Sequence, residues 1–291
     1  MARRGDTVHD VVLWCLGLVT ALAVAWVLWQ GRDFYLTPLT ERPHHADFRD
    51  FRPAGRIGHG LGVVGSSMVV LLLLYSLRKR WKPLARAGQL RLWLRYHIFL
   101  GVAGPVLITL HTSFKVDGLV AVSYWSMAAV ALSGVFGRYL YQQLPRNVLG
   151  EALAPDAVEQ RNEEILVELA GRWGADQQAL DALDRLALDP LEGRPAPAAL
   201  LVLPAVNLVL ARRLQNWARE HGLPDEGDAR NLARQWALAA RRLHLFHLVR
   251  DLFHWWHVFH KPFAIIMILV MGIHVAVALA LGYTWVFGPE S

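Results

Sequence analysis

The stretch His260-Lys-Pro-Phe-Ala-Ile-Ile-Met-Ile-Leu-Val-Met-Gly-Ile-His274 predicts a membrane-spanning helix that carries two histidines. From Pro262 to Phe287 the sequence contains no Asp, Glu, Lys or Arg. This run is long enough to cross a bilayer, which needs about 20 apolar residues. Because ionisable residues inside a span are costly, they indicate a functional site.

The spacing of these histidines places them on one side of the helix. His274 lies fourteen positions after His260. At 3.6 residues per turn, fourteen steps bring a side chain back to within about 40° of the starting direction and raise it by about 21 Å along the helix. A second apolar segment repeats the spacing with His97 and His111. Two helices with histidines at matching heights provide four axial ligands, the number that two bis-histidine b-type haems require.

Small residues follow the ligand positions. Gly101 and Gly104 lie four and seven residues after His97, and Ala264 lies four after His260. Their lack of bulk leaves room for a flat macrocycle against the backbone. The same glycines could instead allow two helices to pack closely, so the pattern leaves both roles open.

These paired histidine helices resemble the haem-binding bundles of membrane b-type cytochromes. That group includes ferric-reductase-like and NADPH-oxidase-like transmembrane domains and the cytochrome b subunits of quinol oxidoreductases. The resemblance covers the membrane half of the chain. It implies that His97, His111, His260 and His274 are the axial iron ligands.

Composition agrees with a membrane protein. Of 291 residues, 54% are hydrophobic, and the net charge of +6 comes from clustered basic residues that fit membrane topology rather than nucleic-acid binding. Cys15 is the only cysteine. One cysteine excludes an internal disulfide, a Cys-ligated iron–sulfur cluster and a Cys-x-x-Cys-His c-haem attachment.

The sequence predicts an all-α integral membrane bundle of five transmembrane helices, with a cytoplasmic helical insert between helices four and five. The first helix follows Arg3 and Arg4, and we favour a retained span over a signal peptide cleaved near Ala23. The predicted domains are 1-146 with spans at about 11-29, 57-77, 92-112 and 119-140, then the insert 147-250, then 251-291 with helix five and the C-terminal tail.

Charge sets the expected orientation. Seven Lys and Arg residues lie from Arg78 to Arg95 without an acidic residue among them, which places this connection in the cytoplasm. The N-terminus and the insert are then cytoplasmic and the C-terminus is outside the inner membrane. Helices three and five run in the same direction, which pairs His97 with His260 on the inner side and His111 with His274 on the outer side.

Two further residues are candidates for cofactor contacts. His59 opens helix two within a glycine-rich stretch and could reach a haem propionate or a quinone, or simply lie at the wetted interface. Arg138 ends helix four and could pair with a propionate of the inner haem. An ordinary positive-inside role would give Arg138 the same position.

The insert is expected to be a compact helical domain. Charged and apolar residues alternate at helical spacing, and the apolar run Leu200–Leu210 looks too short for a span. The insert contains no Gly-x-Gly-x-x-Gly or phosphate-binding loop, so no flavin or nicotinamide site is visible.

Several other histidines crowd the start of helix five. Only His260 shares the face of His274, and His257 is the substitute if His260 is not a ligand. The others, His244, His247, His254 and His257, could form a metal site, although interfacial residues beside Trp255 and Trp256 are the favoured interpretation.

The favoured function is a diheme cytochrome b subunit that carries electrons across the membrane. Its cofactors would be two haem b and a bound quinone, and its partners the lipid bilayer, quinol or quinone, and redox subunits that carry flavin, iron–sulfur or c-type cytochrome centres. The alternatives are a stand-alone ferric-reductase-like or oxidase-like reductase, and a non-redox membrane scaffold.

Overall fold

The computed structural model describes residues 4–144, 155–223, 227–284 and 286–287. The predicted domain boundary between residues 146 and 147 lies outside them. Within the described ranges all regular structure is helical and no strand is present, as an all-α chain requires. The helices are α1 (Arg4–Gln30), α2 (Arg32–Leu36), α3 (Phe48–Phe51), α4 (Arg56–Arg80), α5 (Leu90–His111), α6 (Gly118–Gln143), α7 (Pro155–Trp173), α8 (Gln177–Leu188), α9 (Ala196–Glu220), α10 (Gly227–His244) and α11 (Phe246–Ala280), with 3-10 turns at Arg42–His44 and Lys82–Arg86.

Six helical segments of the described chain are long and apolar enough to cross a membrane: Thr7–Gln30, Phe48–Arg80, Leu90–His111, Gly118–Gln143, Ala196–Glu220 and Phe246–Ala280. Five of them contain the predicted spans. The sixth is α9, where the apolar run Leu200–Leu210 continues into a helix of 25 residues. The expectation that this run is too short for a span was therefore wrong on length, and the count of five is not confirmed.

The chain forms two compact units, which comprise Met1–Val135 with Val258–Ser291, and Phe136–His257. The first unit contains α1 to α5, most of α6 and most of α11. Its closest helix pair is α4 with α5, where Gly65 faces Gly104. A Cβ on Gly104 would lie 3.3 Å from the Gly65 carbonyl oxygen, so the absence of side chains lets the two backbones cross closely.

Two further contacts hold the first unit together. Arg95 of α5 forms an ion pair with Asp10 of α1. Val69, Met127 and Met267 form a buried cluster that joins α4, α6 and α11.

The segment between α1 and α4, residues 31–55, folds around the side chain of Arg42. This arginine is 8% exposed, and its guanidinium donates to the carbonyl oxygens of Thr37 at 2.8 Å, Tyr35 at 2.7 Å and Ser113. It also lies over the Phe34 ring at 5.2 Å. A charge buried this deeply is tolerated because several acceptors surround it.

The second unit contains α7 to α10 with the end of α6 and the start of α11. Its larger core is built from the apolar faces of α7, α8, α9 and α10, and Trp217 of α9 donates its indole N–H to the Ala179 carbonyl oxygen at 2.8 Å. Asp176 caps α8 by accepting from the Ala179 backbone N–H at 2.8 Å. The predicted helical character of the insert is present, although the unit also includes ends of two candidate spans.

Candidate functional site

His111, the last residue of α5, lies against the glycine-rich face of α4. Its Nδ1 is 2.9 Å from the Gly58 carbonyl oxygen. A carbonyl can only accept, so Nδ1 donates, and in a neutral imidazole Nε2 then carries the lone pair. A Cβ on Gly62 would lie 2.6 Å from Nδ1 of His111. The missing side chain at Gly62 is therefore what lets this ring approach α4.

Two hydroxyl side chains near His111 in the sequence have other partners. Thr109 donates its hydroxyl to the Pro105 carbonyl oxygen at 2.8 Å, and Ser113 donates to the Phe51 carbonyl oxygen at 2.6 Å. The partner of His111 Nδ1 is therefore the Gly58 carbonyl oxygen of α4 and not a hydroxyl of Thr109 or Ser113. The regular spacing of Gly58, Gly62 and Gly65 was the sequence signal that could have identified this face of α4 as the one on which His111 packs.

His111 and His274 come together. Their ring centroids are 6.5 Å apart with the planes at 60°, and His274 projects from α11 as an exposed side chain. An imidazole nitrogen lies about 2 Å from a metal that it binds, so two rings on opposite sides of one ion are centred roughly 6 Å apart. The centroid separation of His111 and His274 is close to that value.

His260 contacts α6. Its Nδ1 is 2.8 Å from the Ser133 hydroxyl, which itself donates to the Val130 carbonyl oxygen at 3.0 Å. A serine hydroxyl both donates and accepts, so its oxygen can accept from Nδ1 of His260 while it donates to Val130. In that tautomer Nε2 carries the lone pair, as it does in His111.

His97 shows the same arrangement on α5. Its Nδ1 is 3.3 Å from the Leu72 carbonyl oxygen, and its ring is 4.9 Å from the ring of Tyr75. The protein thus directs Nδ1 of His97, His111 and His260 toward an acceptor. The rings of His111 and His274 are in contact. The described contacts of His97 are with Leu72 and Tyr75, and that of His260 is with Ser133.

The remaining predicted residues occupy varied surroundings. Gly104 packs on Gly65, the helix-packing alternative that the sequence left open, and a Cβ on Gly101 would meet only Leu72, at 3.8 Å. His59 lies on α4 with its ring 6.0 Å from that of Tyr283. Arg138 belongs to the second unit, where its guanidinium lies 5.7 Å from the centre of the Tyr141 ring.

The crowded histidines at the end of α10 and the start of α11 do not converge. His257 bonds through Nδ1 to the Phe253 carbonyl oxygen of its own helix at 2.8 Å, while His244, His247 and His254 are exposed. Across the ranges that the structure describes, no group of three or more His, Cys, Asp or Glu side chains is placed to hold a metal ion.

The structure adds a pocket that the sequence did not reveal. Its volume is about 660 Å³, and its lining residues are Leu39, Thr40, Pro43, Phe114, Lys115, Val116, Asp117, Tyr124 and Trp125. The Tyr124 hydroxyl is 3.3 Å from the hydroxyl of Thr109, two residues before His111. We call this cavity the Tyr124 pocket. The left-handed backbone of Ser113 and Phe114, with φ of 49° and 59°, turns the chain into its wall.

Comparisons with known proteins add no relative to this description. No protein-family model, no curated protein and no solved structure matches the chain.

Proposed function

We propose that this protein is a diheme cytochrome b that carries electrons across a membrane. The observation that carries the proposal is a hydrogen bond at Nδ1 that three of the predicted ligands have in common. His97, His111 and His260 each direct Nδ1 at a protein acceptor, and metal-binding histidines typically make such a hydrogen bond through the nitrogen that does not bind the metal. The 6.5 Å separation of His111 and His274 supports one iron between them.

In this proposal the protein fixes the ligands before a cofactor arrives. The Gly58 carbonyl and the Ser133 hydroxyl accept from Nδ1 of His111 and His260, which keeps both rings in the same tautomer. Such an acceptor makes Nε2 a stronger electron-pair donor to a metal. Haem held by these histidines would supply one-electron chemistry. His97 with His260 and His111 with His274 are the proposed pairs.

The Tyr124 pocket is the proposed site for a quinone or quinol. A volume of about 660 Å³ lies in the range of small-molecule sites, which are mostly apolar with a few polar groups. Phe114 and Trp125 provide aromatic surface for a quinoid ring, and Asp117, paired with Lys115 at 3.7 Å, offers a carboxylate for protons released on quinol oxidation. Tyr124 links the pocket to α5 near His111.

The remaining assignments concern location and partners. We propose that the protein lies in the inner membrane, with the basic connection after α4 on the cytoplasmic side, and that flavin, iron–sulfur or c-type cytochrome subunits exchange electrons with it. The helices that are apolar enough to span a bilayer support the membrane part of this statement.

The test is a pyridine haemochrome assay on the purified protein, together with a reduced-minus-oxidised spectrum. We expect two b-type haems per chain, with His111→Ala and His274→Ala each losing the same one. His254→Ala is the matched control, because this histidine is exposed and lies outside both proposed pairs. Absence of haem from the unaltered protein would overturn the proposal, and loss of different haems in the two variants would overturn the pairing.

A further inference from the structure

Helix α9 carries an apolar stripe that the second unit leaves uncovered. Leu201 is 78% exposed and Leu208 is 84% exposed, and Pro204 and Ala205 between them are exposed as well. These positions recur at helical spacing and so share one face. The opposite face, with Leu203, Leu210 and the other core residues of α9, packs inside the unit.

The N-terminal end of α9 is anchored to a candidate membrane span. The Tyr139 hydroxyl of α6 donates to the Leu200 carbonyl oxygen at 2.5 Å, and Leu140 is buried in a cluster with Leu200 and Leu203. About 20 residues suffice to cross the apolar layer. Tyr139, near the end of the 26-residue helix α6, therefore lies close to one membrane surface and brings the start of α9 there.

The middle of α9 binds a buried charge. Arg241 of α10 is 1% exposed and donates to the Asn207 side-chain oxygen at 2.7 Å and to the carbonyl oxygens of Ala187 and Leu186. Burial and the nearby Arg213 lower the pKa of Arg241 to about 10, so the guanidinium is still charged at neutral pH. A helix that crossed the membrane would take this charge to the bilayer centre, where arginine is strongly disfavoured.

The end of the stripe is basic. Arg212 and Arg213 are exposed directly after it, and Arg219 is exposed in the last turn. An apolar face edged by arginine is typical of helices that lie in the interface of a membrane and meet anionic headgroups.

From the exposed stripe, the Tyr139 anchor and the Arg241–Asn207 contact, we infer that α9 lies flat in the headgroup region of the membrane. The stripe Leu201–Leu208 faces the acyl chains, and Arg212 and Arg213 contact anionic lipid headgroups. The bilayer is thus a ligand of the second unit. This inference does not depend on haem.

The inference is tested by site-directed spin labelling of the full-length protein in phosphatidylcholine–phosphatidylglycerol nanodiscs. Cys15 is first removed by Cys15→Ser. Labels are then placed by Leu201→Cys, Leu208→Cys and, as the control, Val167→Cys. Val167 is 72% exposed on α7, but Glu163 and Glu164, one turn before it, are exposed and favour water. Because all three sites are exposed, the substitutions leave the core unchanged.

Collision rates with oxygen and with a water-soluble nickel complex give the outcome. We expect the oxygen-to-nickel ratio at residues 201 and 208 to be severalfold above that at residue 167, and to indicate the same shallow depth for both. A label at 208 much deeper than the label at 201 would mean that α9 spans the membrane, which overturns the inference. Water exposure at both sites, or shielding from both reagents by a protein partner, would overturn it as well.

Discussion

Nδ1 of His260 lies 2.8 Å from the hydroxyl oxygen of Ser133, a contact between two helices that are 127 residues apart in the chain. The serine hydroxyl also contacts the Val130 carbonyl oxygen at 3.0 Å, which leaves its oxygen able to accept from the imidazole. Two residues that are far apart in the sequence thus meet at a ring that we propose to bind iron.

Ser133→Ala is expected to raise the midpoint potential of the haem bound by His260. Loss of an acceptor for Nδ1 makes the imidazole a weaker electron donor and destabilises the ferric state. A hydrogen bond contributes about 1 kcal/mol, which corresponds to some tens of millivolts for one electron. A spectroelectrochemical titration measures the shift.

Ser133→Thr is the matched control, since it retains a hydroxyl and should leave the potential close to that of the unaltered protein. A shift confined to the haem of His111 and His274, or equal shifts in both variants, would contradict the assigned contact.

Gly62→Ala is expected to remove the haem bound by His111 while the other haem stays. A Cβ at this position would lie 2.6 Å from Nδ1 of His111, closer than two such atoms normally approach, so the ring must turn away from Gly58. Haem content per chain is measured by the pyridine haemochrome assay.

Gly134→Ala provides the comparison, because a Cβ there has no neighbour within 4 Å. It should keep both haems. Full haem content in Gly62→Ala would show that the close approach of His111 to α4 is not needed for binding.

Arg42→Met is expected to lower the free energy of unfolding by about 2–4 kcal/mol, since a charge-assisted hydrogen bond contributes about 1.5–3 kcal/mol and the abandoned acceptors stay buried. The substitution removes the donors for the carbonyl oxygens of Tyr35, Thr37 and Ser113. Unfolding in mixed detergent micelles measures the change.

Arg32→Met is the control for Arg42→Met. The Arg32 side chain is 58% exposed, pairs with its exposed neighbour Asp33 and lies 5.2 Å from the centre of the Trp29 ring. Exposed ion pairs contribute little. Equal destabilisation by both substitutions would argue against a special role for the buried guanidinium.

Tyr35 is expected to make the protein sensitive to alkali. Burial raises the pKa of the Tyr35 phenol from 10 to about 12, with Arg42 acting in the opposite direction. Because the folded state retains the proton more strongly than the unfolded state, the stabilisation is complete below pH 10 and is lost as pH rises toward 12. The free energy of unfolding, measured between pH 8 and 12, should therefore stay level up to about pH 10 and decrease above it.

Tyr35→Phe should remove that part of the pH dependence. In the described structure the Tyr35 hydroxyl is buried with no hydrogen-bond partner, so its removal should be neutral or stabilising at pH 7. A large loss of stability at neutral pH would indicate that the hydroxyl has a role that its surroundings do not show.

The spans were predictable because lipid imposes a simple condition on a sequence. A run of apolar residues of sufficient length forms a helix that satisfies its own backbone, and the predicted spans 92-112 and 119-140 correspond to α5 and α6 within a few residues. The length of α9 was missed since the apolar run Leu200–Leu210 was considered without the helical residues that follow it.

The sequence by itself determined the helical class, the apolar segments and the shared face of each histidine pair, because these depend on composition and on the 3.6-residue period alone. Only the tertiary structure decided that Gly58 and Ser133 are the hydrogen-bond partners of His111 and His260, that Arg42 is buried, and that α9 exposes an apolar stripe. Each of these depends on which distant backbone atom or face comes within hydrogen-bonding or packing distance, and the order of residues along one helix does not specify that.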